Sequence, residues 1–300
     1  GGTLIFDDAV ELTADTTLID TGTTGIFFNS TLDGDGNGPW SLTLQTTDPD
    51  ARIEFNDTVG ASRPLNDLTI TNAGVLVIAA DADMTLAGIF LQDGDGAVQT
   101  AGDITAQGSV TFTSAITLTG SVAIESAAGD IVFLDTVDGT TEGTEDLTLT
   151  ANSGSVAFHA TVGEDIALGA ILITTAVDVE AFDAITAASF VQSAGDGTTT
   201  LHADVTTIAS EGIDLTTGRV VLDWIHLTAG GDGGVRFDAP VELAGPVEID
   251  AGGAIRFENT VVSPGGEAAS LILNTPDDVV FLDAVGSGAD NALGAITILH

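Results

Sequence analysis

The chain has 300 residues, with 45 acidic residues, five arginines, no lysine and no cysteine, and a formal net charge of −40. This charge argues against nucleic acids and anionic membranes as partners, because both are recognised by clustered Lys and Arg, and it favours a cationic partner such as a metal ion. A hydrophobic fraction of 44 % argues against disorder. No apolar stretch approaches the roughly 18 residues of a membrane span, and disulfides and thiolate metal sites are excluded.

A short apolar phrase recurs along the chain: an aliphatic residue, one spacer, a large apolar residue, three spacers and another aliphatic residue. In chain order its clearest copies are residues 53–59, 131–137, 235–241, 255–261 and 279–285. Nine of the 13 phenylalanines hold the large apolar position: Phe6, Phe28, Phe55, Phe112, Phe133, Phe158, Phe237, Phe257 and Phe281. We expect successive repeats to stack these rings in one internal column.

A second apolar phrase, L-x-I or V-x-I followed by polar residues, lies between copies of the first, as at 67–71, 146–150, 170–174, 270–274 and 295–299. Alternation at period two predicts strands with one buried face, and clusters such as 93–96 supply Gly and Asp for corners. Short repeats of this kind, each too small to bury itself, are typical of solenoids. The sequence therefore predicts an all-β, parallel β-helix (β-solenoid) of about 13 coils of roughly 20–25 residues, with no caps.

The whole chain, 1–300, is predicted to be one continuous solenoid with a longer internal period. Phe6, Phe112 and Phe237 begin equivalent stretches, which gives super-repeats at approximately 1–106, 107–231 and 232–300, the last one partial. Reading from residue 300 back into residue 1 continues the repeat frame. We therefore expect either a segment of a longer array or a subunit that stacks head to tail.

The phrases at 109–120, 129–137, 147–158 and 168–176 resemble the repeat region of large bacterial surface and secreted β-solenoid proteins. They are similar to filamentous-haemagglutinin-like adhesins and other β-strand-repeat exoproteins. The resemblance implies a parallel β-helix, an extracellular or cell-surface location, and a structural role in a fibre, sheath or surface adhesin. The alternative is a carbohydrate- or surface-binding module in which an exposed face does the work.

Calcium is the metal that the acidic corners suggest. Residues 33–38 read D-x-D-x-N-G, the start of an oxygen-ligand calcium loop, but Leu44 stands where an EF-hand needs Glu. The candidate ligands are Asp33, Asp35 and Asn37, with Asp93 and Asp95 as a shorter version. Solvated Gly-rich corners are the structural alternative, and adaptation to high salt is the alternative explanation of the acidity.

Several predicted strands are apolar at consecutive positions, so one apolar side chain of each should point outward. The outward residues are Ile5, Phe27, Val132 and Val280. They predict lateral self-association between rods, and ordinary exposed aliphatic residues are the alternative.

The chain is not expected to be an enzyme. Lysine is absent and the arginines are scattered, whereas a lyase on this fold would need a base beside clustered carboxylates. Arg236 and Arg256 hold the same place in successive coils, which predicts surface ion pairs.

The histidines and tryptophans give no clear site in the sequence. His159 and His202 share a phrase position two coils apart, which is too far for one metal ion. His226 and His300 look isolated. Trp40 and Trp224 could each stack on a sugar, but packing at a corner is the expected use.

Overall fold

The computed structural model describes residues 2–266, 268–287 and 291–300. These residues form 35 strands and one 3-10 turn at Pro264–Gly266, and they contain no α-helix. The strands stack in parallel as the coils of a solenoid with about 13 turns, which confirms the predicted fold class. None of the described residues belongs to a helix with the length and hydropathy that a bilayer crossing needs.

Up to residue 100 the strands are β1 (Leu4–Phe6), β2 (Val10–Leu12), β3 (Thr16–Asp20), β4 (Gly25–Phe28), β5 (Leu32–Gly34), β6 (Leu42–Thr46), β7 (Arg52–Phe55), β8 (Leu68–Thr71), β9 (Leu76–Ile78), β10 (Met84–Leu86), β11 (Phe90–Gln92) and β12 (Val98–Thr100). The next twelve are β13 (Ile104–Ala106), β14 (Val110–Phe112), β15 (Ile116–Leu118), β16 (Val122–Ser126), β17 (Ile131–Phe133), β18 (Val137–Asp138), β19 (Leu147–Thr150), β20 (Val156–Phe158), β21 (Leu168–Thr175), β22 (Val179–Ala181), β23 (Ile185–Gln192) and β24 (Thr198–Leu201). The remainder are β25 (Val205–Thr216), β26 (Arg219–Leu222), β27 (His226–Ala229), β28 (Val235–Asp238), β29 (Val241–Leu243), β30 (Val247–Ala251), β31 (Ile255–Phe257), β32 (Val261–Val262), β33 (Ser270–Asn274), β34 (Val279–Phe281) and β35 (Ala295–Leu299).

The coils build three faces, which each coil visits in the same order. The first face begins with β1, β4, β7, β9, β12, β15 and β18, and it ends with β27, β30, β33 and β35. The second begins with β2 and β5 and ends with β28, β31 and β34, and the third runs from β3 to β32. The long strands β21, β23 and β25 turn the corner from the first face to the second, so these two faces merge into one sheet there.

One ladder of aligned aliphatic residues on the first face shows how the coil length varies. Its members pair from coil to coil without a gap: Leu4, Ile26, Ile53, Leu76, Val98, Ile116, Val137, Val162, Ile185, Val205, Leu227, Ile249, Leu273 and Ile298. The shortest coil along this ladder runs from Val98 to Ile116. The longest runs from Ile26 to Ile53. The coil lengths therefore vary more widely than predicted, because the corners absorb insertions.

The phenylalanines stack as expected, but the single internal column is wrong. Three columns form instead, one on each face. Their ring centroids are 4.8 to 5.8 Å apart, with planes within 25° of parallel. The column on the first face is Phe6, Phe28 and Phe55, that on the third is Phe112, Phe133 and Phe158, and that on the second is Phe237, Phe257 and Phe281. Equal phrases thus occupy different sides of the rod.

A buried polar column lines the corner between the third and first faces in the N-terminal coils. It contains Asp20, Thr46, Asn72, Gln92 and Ser114, all at most 7 % exposed. The Gln92 side-chain amide donates to Asn72 Oδ1 at 2.8 Å, and Ser114 donates to the carbonyl oxygen of Gly96 at 2.7 Å. These bonds satisfy buried polar groups, which would lower the stability of the fold if they had no partner.

Candidate functional site

The first three predicted calcium ligands take part in local hydrogen bonds. Asp33 Oδ1 accepts two backbone N–H groups of the next coil, at 2.9 and 3.1 Å. Asp35 accepts the indole N–H of Trp40 at 2.8 Å and the backbone and side-chain N–H groups of Asn37. These bonds, that from Trp40 first, hold the pKa of the Asp35 carboxyl below its ordinary value. The structure thus gives these side chains roles in the fold, and calcium binding by them stays a prediction.

Asp93 and Asp95 are exposed on a different corner, between β11 and β12. The segment 33–37 begins within β5 and continues into the corner between the second and third faces, so the structure does not bring the two predicted calcium segments together. At the second corner the carbonyl of Gly94 accepts a hydrogen bond from Gln92. Calcium binding there also stays a prediction.

The four predicted self-association residues lie on three faces. Ile5 and Phe27 are neighbours on the first face, through the pairing of β1 with β4. Val132 lies on the third face and Val280 on the second. Ile5 is 54 % exposed, whereas the other three are half-buried. They do not form one surface, so a lateral contact through any of them stays a prediction.

All five arginines form ion pairs with carboxylates of the described residues. Arg236 contacts Asp214, Asp238 and Glu258 at 2.9 to 3.3 Å. Arg256 is aligned with Arg236 in the next coil and shares Glu258. Although partial burial alone would lower the pKa of Arg236, these carboxylates, Asp214 foremost, raise it above its ordinary value. The predicted surface ion pairs are confirmed.

Part of the acidity has a structural use that the sequence did not reveal. Within the described part of the chain, ten aspartates each accept a backbone N–H from the following coil: Asp15, Asp33, Asp67, Asp83, Asp103, Asp130, Asp138, Asp146, Asp178 and Asp204. Eight of the ten, all except Asp33 and Asp138, stand directly before a strand. The carboxylate therefore ties the start of one strand to the start of the next.

An aromatic strip, defined by His159, Phe182, His202 and Trp224, runs along the outside of the corner between the third and first faces. The rings of His159 and Phe182 have centroids 4.7 Å apart, and those of Phe182 and His202 are 5.3 Å apart, with planes within 13° of parallel. Phe182 is 41 % exposed and Trp224 is 71 % exposed. Trp224 lies at a corner, as expected, with its indole over Gly245 of the next coil, but most of the side chain faces solvent.

His202 sits between two carboxylates in this strip. Its Nε2 lies 3.1 Å from Glu180 and its Nδ1 lies 3.4 Å from Asp223. The two ring nitrogens point in opposite directions, so the two carboxylates lie on opposite sides of the ring. These two contacts hold the ring in position between the carboxylates.

The sequence predicts an isolated His226, and the structure shows otherwise. His226 begins β27 on the first face, where it is aligned with Glu248 of β30. Its Nε2 lies 2.9 Å from Oδ2 of Asp250. Among the described residues, His226, Glu248 and Asp250 are the one group of three or more histidine or carboxylate side chains whose ligand atoms all lie within 4.8 Å of one another. The sequence did not reveal this group, because its members come from two coils and the repeated phrases do not show how these coils align.

Comparisons with protein-family models, curated proteins and solved structures found no match to this chain.

Proposed function

We propose that this chain is a structural rod of an extracellular fibre, sheath or surface adhesin. The observation that carries the proposal is the unbroken coil-to-coil pairing from Leu4 to Ile298. Strands about 4.7–4.9 Å apart over about 13 coils give a body on the order of 60 Å long. A rod of this length separates the segments or molecules attached to its two ends by that distance.

End-to-end stacking is the way such a rod extends. The last strand, β35, pairs with β33 on one edge, and no described strand covers its other edge. Its apolar residues Ile296, Ile298 and Leu299 are 42 to 46 % exposed. An unpaired strand edge with apolar side chains is a template for a further strand. A further coil, from a longer array or from a second copy, would cover this edge.

The role we infer is non-catalytic. Lysine is absent, and each arginine already pairs with a described carboxylate. The partners we propose are the chain itself and, at the exposed acidic corners of Asp93 and Asp95, Ca²⁺. The extracellular location rests on the resemblance to surface β-solenoid proteins.

Sedimentation velocity and negative-stain electron microscopy at increasing protein concentration test the end-stacking proposal. We expect rods that lengthen with concentration. Ile298→Asp places a charge at the open end of the internal aliphatic ladder and should abolish lengthening. Leu134→Asp is the matched control, because Leu134 is similarly exposed, at 45 %, but lies on the side of the rod. Equal assembly of both variants, or a wild-type chain that stays one length, would contradict the proposal.

A carbohydrate- or surface-binding module is the second candidate function, and the aromatic strip is the observation that favours it. Exposed rings offer apolar faces for stacking, and carboxylates such as Glu180 lie beside them. A glycan array probed with the wild type and with a Phe182→Ala, Trp224→Ala double variant tests this function. Binding that the double variant loses would support it, and no binding by the wild type would contradict it.

A further inference from the structure

We propose that His226, Glu248 and Asp250 bind one divalent transition-metal ion, of which Zn²⁺ is the best fit. The three side chains lie on the outer surface of the first face. Since outward residues of a strand are two positions apart, Glu248 and Asp250 both project from β30 toward the same side. The alignment of His226 with Glu248 and its 2.9 Å contact with Asp250 bring an imidazole nitrogen between two carboxylates.

The charges around this group favour a cation. No arginine lies within ion-pair distance of Glu248 or Asp250 among the described residues. Asp250 Oδ1 is buried and accepts no hydrogen bond from any described group. Two carboxylates on one strand therefore have one basic partner, the His226 imidazole, and one carboxylate oxygen has no donor. A bound ion would supply the missing positive charge.

The arrangement around His226 differs from that around His202. His202 also contacts two carboxylates, but through opposite nitrogens, so no single ion can reach all three groups. At His226 the ligand atoms converge within 4.8 Å. A tetrahedral ion with bonds of about 2.0–2.2 Å holds its ligand atoms about 3.5 Å apart. The exposed Glu248 side chain would have to move closer to the other two ligands to reach this spacing.

The ligand types decide which ion fits. One imidazole nitrogen with two carboxylates is a donor set typical of Zn²⁺ and related transition metals, whereas Ca²⁺ takes oxygen ligands. Three protein ligands leave a fourth position open. His226 and Glu248 line a surface depression of about 240 Å³ together with Trp224 and Ser270, so solvent or a small ligand has access to that position.

The backbone around the group is held in place before any ion binds. Asp204 accepts the backbone N–H of His226 at 2.7 Å. Thr228 Oγ1 lies 3.5 Å from His226 Nε2. Trp224 adopts a left-handed conformation, with φ of 56°, and its indole occupies space that a Cβ at Gly245 would fill. The indole lies beside the site, in the same depression as His226 and Glu248, and can report on it.

Calorimetric titration of the chain, without a polyhistidine tag, with Zn²⁺ in an excess of Ca²⁺ tests the proposal. The Ca²⁺ occupies weak carboxylate sites. We expect one Zn²⁺ per chain. Loss of an outer partner of a metal ligand typically costs about 10- to 100-fold in affinity, so His226→Ala and Asp250→Asn should each lose at least about tenfold. His202→Ala is the matched control and should bind as the wild type does.

Fluorescence gives a second readout that does not depend on whether the ligand variants fold, because it uses a chain with all three ligands intact. In a Trp40→Phe chain, Trp224 is the one remaining tryptophan, and stoichiometric Cu²⁺ or Ni²⁺ should quench it. Wild-type affinity for Zn²⁺ in a folded His226→Ala or Asp250→Asn variant would overturn the site. An equal loss in His202→Ala, several weak equivalents with no single saturable site, or unquenched Trp224 would overturn it as well.

Discussion

Individual aspartates in this chain act as acceptors between coils. An N–H near the start of a strand points toward the previous coil, where the carboxylate that precedes the neighbouring strand accepts it, as Asp146 accepts the N–H of Ala170 at 2.7 Å. A hydrogen bond to an ionised acceptor is stronger than one between neutral groups. Some of the acidity is therefore a means of registering coils, and neither calcium nor salt is needed to explain that part.

We expect Asp146→Ala to lower the free energy of unfolding by about 1 kcal/mol, because it removes an intercoil hydrogen bond. Asp146→Asn keeps an acceptor oxygen and should lose less than half as much. Urea unfolding followed by circular dichroism measures both. Asp95→Ala is the control, because the exposed Asp95 is not one of the ten intercoil acceptors. Equal effects at 146 and 95 would contradict the proposed role.

Glu145 predicts a pH dependence of stability. Burial alone would raise the pKa of this carboxyl, but hydrogen bonds from Thr140 Oγ1 and the Thr141 backbone N–H outweigh burial and lower the pKa. A pKa lowered in the folded state means that this stabilisation is present above the unfolded-state pKa of about 4.3. It is lost as the pH falls through the lower folded-state pKa. The wild type should therefore exceed Glu145→Gln in unfolding free energy at neutral pH, and the gap should shrink below about pH 4.3. A gap that is constant over the acid range would count against this assignment.

Among the elements, most strands are short, as β9 (Leu76–Ile78) and β17 (Ile131–Phe133) are, and such strands are not stable alone. Each is held by its coil neighbours and by the side-chain columns between them. The column of Phe112, Phe133 and Phe158 is buried throughout, and the rings meet face to face at 5.2 to 5.8 Å. The polar column of the N-terminal coils does the same work with hydrogen bonds.

Phe133→Ala should lower the free energy of unfolding by about 3–5 kcal/mol, because it leaves a cavity between two stacked rings. Phe133→Leu should cost clearly less. Phe182→Ala, on the aromatic strip, is the matched control: its ring also stacks between two neighbours, but it is 41 % exposed. We expect a loss near about 0.5 kcal/mol there. Thermal or chemical unfolding provides the comparison. In chemical unfolding, the three variants should share the same dependence of unfolding free energy on denaturant concentration.

Across the rod as a whole, a net charge of −40 opposes compaction. Stacked coils hold carboxylates near a strand spacing apart, and like charges about 4.8 Å apart repel by roughly 0.9 kcal/mol in water. The arginine pairs relieve only part of this, since five arginines face 45 acidic residues. Screening should therefore stabilise the rod.

Melting temperature should rise with NaCl, and Ca²⁺ at matched ionic strength should raise it further if the exposed corner at Asp93 and Asp95 binds the ion. An Asp93→Asn, Asp95→Asn double variant should lose the additional Ca²⁺ effect and keep the salt effect. Differential scanning calorimetry with EDTA and with Ca²⁺ makes the measurement. The same rise with Mg²⁺, or an unchanged Ca²⁺ effect in the double variant, would remove the calcium proposal for this corner.

The repeated phrases were enough to predict the fold class, the approximate number of coils and the inward residues of most strands. Alternation at period two fixes which side chains of a strand share a face, and repetition fixes that successive strands pair in parallel. The alignment of Arg236 with Arg256 could be predicted for the same reason, because both stand in equivalent phrases in successive coils.

Only the three-dimensional packing decides which face each phrase occupies and which outward residues come into contact. Coils of unequal length shift equal phrases around the rod, so the three Phe columns lie on three faces. The contact of His226 with Asp250 is diagonal between coils, and the intercoil hydrogen bonds of Asp depend on the same register. The register between coils depends on how the corners fold. Neither the length nor the conformation of the corners recurs regularly along the sequence, so the repeated phrases do not predict it.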